Sequence, residues 1–260
     1  MEHSEVNLFF RELGSGQPLI ILHGLFGSSD NWYSLSKVFA RQYRVLVVDQ
    51  RNHGQSPHHP VHNYGALTED LSTLIAKEKL ESPIIMGHSM GGKTAMNFAV
   101  KYPHQLSKLI VVDIIPKAYP VHHDSILEGL QAINLNELKS RTQADEILSQ
   151  FVPEPAVRQF LLKNLSRDAK QSFEWKINIP VLAHHIEDMG AGLQYEGKFD
   201  GPALFIMGTK SNYYEKGDEN LIHQYFPDAK MIELNTGHWV QAEQPEAFAE
   251  TVMEFLNSTS

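Results

Sequence analysis

The octet Gly87-His88-Ser89-Met90-Gly91-Gly92-Lys93-Thr94 satisfies two incompatible motifs at once. Residues 87–91 read G-x-S-x-G, a sharp strand-to-helix turn that exposes a serine hydroxyl. The whole octet also reads G-x-x-x-x-G-K-[ST], a loop whose backbone N–H groups cradle phosphate while a lysine closes on it. The second reading needs residues 87–92 to be loop, and LIVVD, ending at Asp113, resembles the strand and Asp that hold Mg²⁺ beside such loops. Phosphate loops usually follow a domain's first strand, however, whereas about three strands precede this octet.

Two distant features decide between the readings. LHGLFG, Leu22 to Gly27, follows the apolar run PLII, and its glycines let backbone N–H groups approach a bound group closely. TGHW, Thr236 to Trp239, follows the last apolar run and puts a histidine where a serine nucleophile needs a base. The order Ser89, Asp113, His238 is also the chain order of nucleophile, acid and base in the α/β-hydrolase fold. The serine reading accounts for all of these features, and the lysine of GKT then falls inside the helix after the turn as an exposed residue.

The chain resembles an α/β-hydrolase from its first strand to its last helix, and within that superfamily the small bacterial esterases of the YbfF kind. The pieces that carry the resemblance are HGLFGSSDNW, VVDQRNHGQSPH, MGHSMGGKTAM, LIVVDIIP and TGHWVQAEQP. It implies hydrolysis of short- to medium-chain carboxylic esters or of acyl thioesters such as acyl-CoA, with no cofactor and no metal.

The rest of the chain is consistent with that fold. VNLFFREL, PLIIL, YRVLVVD, PIIMG, KLIVVDI, PALFIMG and KMIEL are strand-like, while YGALTEDLSTLIAKEKL, GKTAMNFAVKY and EAFAETVMEFL carry apolar positions at helical spacing. That alternation predicts a mostly parallel sheet with helices on both faces, and the alternating VNLFFREL an antiparallel edge. Between Ile114 and Pro202 no convincing strand appears, but SILEGLQAI, NELKSRTQADEILSQFV and EPAVRQFLLKNL read as helices. The expected organisation is a hydrolase core of residues 1–115 and 201–260, with a helical cap at 116–200.

Within this frame Ser89 is the expected nucleophile and His238 its base. The oxyanion hole is expected from the backbone N–H of Met90 and of Leu25, with Phe26 the alternative to Leu25. The usual acid position follows PALFIMG, but Gly208-Thr209-Lys210-Ser211 holds no carboxylate there. Asp113, at the end of the neighbouring strand, is the favoured substitute, with Glu215 and Asp218 as rivals, and the YbfF-like resemblance implies Asp113 too. Asp49 and Arg51 are read as fixing a loop, His58, His59 and His62 as a solvated loop, and His122, His123, His184 and His185 as bordering the pocket.

Composition narrows the partners. A net charge of -9 argues against nucleic acid and anionic membranes. The absence of cysteine excludes disulfides, a thiol nucleophile and cysteine-ligated metal. MEHSEVNLFFREL has neither a basic start nor a long apolar run, so a cytoplasmic location is expected. The expected assembly is a monomer or homodimer. The substrate stays open at this level: a C–C hydrolase, perhydrolase, lactonase or slow ligand receptor could carry the same residues.

Overall fold

A computed structural model of the 260-residue chain describes residues 6–120 and 123–258. Seven apolar runs pair into one sheet: β1 (Phe10–Leu13), β2 (Pro18–Leu22), β3 (Arg44–Val48), β4 (Ile84–His88), β5 (Lys108–Val112), β8 (Ala203–Gly208) and β9 (Ala229–Leu234). Their spatial order is β1-β3-β2-β4-β5-β8-β9. Only β1 runs antiparallel, pairing Phe10 with Val48 and Leu13 with Val45. The central strands are buried on both faces, which explains why β4, β5 and β8 read as unbroken apolar runs. The edges differ: β9 has no fully buried residue, and its charged Lys230 and Glu233 discourage pairing by another chain.

Helices cover both faces. On one side Leu71 and Leu74 of α2 (Tyr64–Lys77), Met96 and Phe98 of α3 (Met90–Lys101) and Ile222 of α9 (Glu219–Tyr225) pack on the sheet. On the other, Phe39 of α1 (Tyr33–Phe39), Val240 of the short α10 (Val240–Glu243) and Phe248 and Val252 of α11 (Pro245–Asn257) do the same. Asn63 caps α2 by accepting from the Ala66 N–H, and Pro245 opens α11, where its missing N–H costs nothing.

The chain leaves the sheet after β5 and returns at β8. Between them lie α4 (Asp124–Ala132), α5 (Arg141–Leu148), α6 (Pro155–Leu162), α7 (Ile179–His184) and α8 (Ile186–Gly190). The expectation of no strand here is corrected: β6 (Leu165–Arg167) and β7 (Phe173–Trp175) form an antiparallel ribbon. Three-residue strands are too short to display an alternation. This segment has its own apolar core around Leu130, Leu148, Leu161 and Leu182, which also receives Phe26 from the sheet side. Its two ends meet, the Leu193 N–H donating to the Pro116 carbonyl at 2.7 Å.

Candidate active site

Ser89 occupies the junction of β4 and α3 with φ 53° and ψ -118°, a conformation costly for a residue with a Cβ. The turn is tight because its neighbours are glycines. A Cβ on Gly87 would lie 2.1 Å from the Gly91 carbonyl oxygen, and one on Gly91 2.5 Å from that of Leu22. The Ser89 N–H donates to the Val112 carbonyl at 3.1 Å, which locks the turn to β5. Since α3 begins at Met90, residues 90–92 cannot wrap an anion as loop. Nor is Lys93 exposed, as the sequence suggested. It is 1% exposed, and its Nζ donates to the Ala191 carbonyl at 2.5 Å. Burial lowers its pKa to about 8.

Asp113 and His238 meet across the sheet edge. Asp113 follows β5, is fully buried, and its Oδ2 accepts from His238 Nδ1 at 2.7 Å. Two further donors hold the same carboxylate: the Gly208 N–H on Oδ1 at 2.8 Å and the Ser211 hydroxyl on Oδ2 at 2.5 Å. Ser211 thus stands where the usual acid would be and donates to the carboxylate next door. Tyr213 stacks on the His238 ring, centroids 4.2 Å apart and planes 22° apart. His88 Nε2 donates to the His238 carbonyl at 2.8 Å, which ties the histidine loop to the strand that precedes Ser89. Of the rival carboxylates, Glu215 is exposed and Asp218 is paired with Lys117 at 2.6 Å.

The HGLFG turn is fixed by buried neutral histidines. His23 donates from Nδ1 to the Gly24 carbonyl at 2.8 Å and accepts the Gln50 N–H at Nε2. His53 donates from Nδ1 to the Arg51 carbonyl, leaving Nε2 to accept the Phe26 N–H at 3.2 Å. Burial pushes the pKa of His23 down and that of His53 well down, as these tautomers require. The Phe26 N–H is therefore occupied, and the Phe26 carbonyl accepts from Asn164 Nδ2 at 2.7 Å. Leu25 and Met90 instead line a cleft of about 430 Å³, counting its open mouth, together with Ser89, Tyr64, Tyr119 and Tyr213.

Other expectations divide. Asp49 accepts the N–H groups of Ser29 and Gln55, and Arg51 forms a buried pair with Asp70, so both fix the loop after β3. His62 is buried, not solvated, with its pKa lowered to about 3 by desolvation. His123 borders the cleft. His184 and His185 pack on each other, and His185 reaches Asp188 and the Pro60 carbonyl. His122 lies outside the described residues. Sequence reasoning missed Ser211, Tyr213 and Asn164 as partners of this site. No local pattern could have marked them, since each acts across the fold.

A parallel sheet with a strained serine turn after its fourth strand and a histidine–aspartate pair at the ends of later strands defines a class, and the α/β-hydrolase fold family matches residues 17–154. The chain belongs to that family, and it is a hydrolase of the esterase and lipase type. It is 38% identical over 247 residues to mouse sn-1-specific diacylglycerol lipase ABHD11, spanning 92% of this chain and 80% of that one. It is 35% identical over 245 residues to esterase YbfF of Escherichia coli strain K12, spanning 94% of each. A solved marine microorganism esterase superposes with a TM-score of 0.94 at 41% identity, covering 96% of this chain and 100% of its own. Among the described residues no helix is long and apolar enough to cross a membrane.

Proposed function

We propose that the protein is a serine carboxylesterase that hydrolyses short- to medium-chain acyl esters, or the corresponding thioesters, through an acyl-enzyme on Ser89. The observation that carries this reading is the 2.7 Å contact of Asp113 Oδ2 with His238 Nδ1, which fixes the imidazole tautomer and leaves Nε2 to accept a proton. Ser89 Oγ gives its proton to Nε2 as it bonds the substrate carbonyl carbon. The N–H groups of Leu25 and Met90 receive the oxyanion, a role for which the Phe26 N–H is already engaged by His53. His238 then returns the proton to the departing alcohol or thiol, and water repeats the sequence to free the acid. Residues 116–200 act as a cap over the cleft, to which they contribute Met189 and Gly190.

Activity-based labelling tests it. The wild-type protein should react covalently with a fluorophosphonate and hydrolyse p-nitrophenyl esters, best at short to medium acyl length. Ser89→Ala should lose the label and lower turnover by roughly 10³-fold or more. A Ser89→Ala protein that turns over esters at near the wild-type rate would remove the nucleophile and the reading with it.

A further inference from the structure

The buried ammonium of Lys93 has no part in the chemistry above. Lys93 lies on α3 one helical turn beyond Ser89, about 6 Å along the axis at 1.5 Å per residue. Its Nζ sits 4.9 Å from the centroid of the Tyr119 ring and 5.6 Å from that of Tyr64. Both rings line the cleft, as do Met189 and Gly190. The carbonyl Nζ holds belongs to Ala191, the next residue along. Two other bonds tie the same stretch to the core: the Tyr64 hydroxyl to the Met189 carbonyl at 2.9 Å, and the Tyr119 N–H to the Gly190 carbonyl at 2.8 Å. The Tyr119 hydroxyl donates to the Tyr213 carbonyl at 2.7 Å, so with both hydroxyls spent on backbone partners Tyr64 and Tyr119 offer the cleft aromatic carbon.

We infer that Lys93 is a positioning residue that braces the wall formed by Tyr64, Tyr119 and residues 189–191, and so fixes the length of acyl chain the cleft admits. The inference rests on the acyl-enzyme reading and adds to it that the acyl group lies against this wall, which lines the same cleft as Ser89. An ammonium is suited to the task. It binds a carbonyl and two π faces at once, whereas an apolar side chain of equal length could fill the space without pinning the chain that leaves the inserted segment. A wall pinned by a side chain from the helix that begins at the nucleophile limits how long an acyl chain the cleft admits.

The test is Lys93→Met, which keeps length and volume and removes the three donors, assayed on p-nitrophenyl acetate, butanoate and octanoate. The expected result is a rise of about tenfold in kcat/KM for octanoate relative to acetate, carried by KM more than by kcat, the scale on which a hydrophobic pocket discriminates chain length. Tyr64→Phe cuts the neighbouring tie to Met189 while keeping the ring, and should move the profile the same way. It tests the wall, and Lys93→Gln, which removes the charge, tests the lysine should Lys93→Met fail to fold. A chain-length profile superimposable on wild type in the folded variants overturns the role of Lys93. Ser89→Ala on the same panel keeps the two ideas apart, since its residual turnover judges the acyl-enzyme alone.

Discussion

At the scale of single residues, the acid is the most informative group. Asp113 carries φ 50°, a left-handed conformation that Asp tolerates better than most side chains. Its carboxylate is met by three donors on three different elements or loops: Gly208, Ser211 and His238. Asp113→Asn keeps the shape but presents an NH₂ group to at least one of those donors and removes the charge opposite the imidazole. It should lower kcat by about 10²–10⁴-fold in a folded protein, whereas exposed Glu215→Gln should change it little. The opposite ranking in steady-state assays would move the acid to the later strand. That the carboxylate meeting His238 comes from the end of β5 could be read from the chain, because Gly208-Thr209-Lys210-Ser211 lacks a carboxylate and LIVVD ends in one. That Ser211 donates to it could not, because that bond joins residues 98 positions apart.

At the scale of elements, the seven strands and the core helices α2, α3 and α11 were legible because burial on one or both faces imposes a period on the sequence, whereas α1, α9 and α10, of four to seven residues, are too short to show one. The inserted segment was legible as helix but not as ribbon, since LSR and FEW are shorter than any period can register. Lys93 misled for a related reason. A lysine on a helix is ordinarily solvated, and the groups that meet this one, Tyr64, Tyr119 and Ala191, are distant from it in sequence. That segment and the core also meet through Asn164, which is 2% exposed and donates to both the Phe26 and the Leu161 carbonyls. Asn164→Ala would leave the buried Phe26 carbonyl short of a donor and loosen the turn that carries Leu25. We expect a loss of about 1–3 kcal/mol in chemical denaturation together with a lower kcat. A variant with unchanged stability and rate would show that the turn holds its shape unaided.

At the scale of the whole molecule, the histidines set a limit on the acid side. His23, His53, His62 and His88 are buried, and burial is the largest cause of a lowered pKa in each, with His62 brought to about 3. An unfolded histidine titrates near about 6.5. Above that value both states are neutral and the stability they allow is fully present. As pH falls below it, the unfolded chain takes up protons that the folded chain refuses, and stability drops until the folded pKa values are reached. For His62 the loss reaches about 2 kcal/mol by pH 5, and His23, His53 and His88 act in the same direction, against a total of about 5–15 kcal/mol for an ordinary domain. The urea midpoint should therefore fall steeply between pH 7 and pH 5. A midpoint that holds steady over that range would mean that these rings accept protons without leaving their sites.

The join between β5 and β8 has a further consequence. The two strands are hydrogen-bonded neighbours, Val112 beside Ile206, and the entry and exit of the long excursion between them are clasped at Pro116 and Leu193. The chain therefore enters and leaves the excursion at one narrow base, while Ser89, Asp113 and His238 are all held from the sheet beneath it. Such a layout separates two kinds of inheritance. A change in the length or sequence of the excursion can then be inherited without moving the strand ends that carry Ser89, Asp113 and His238.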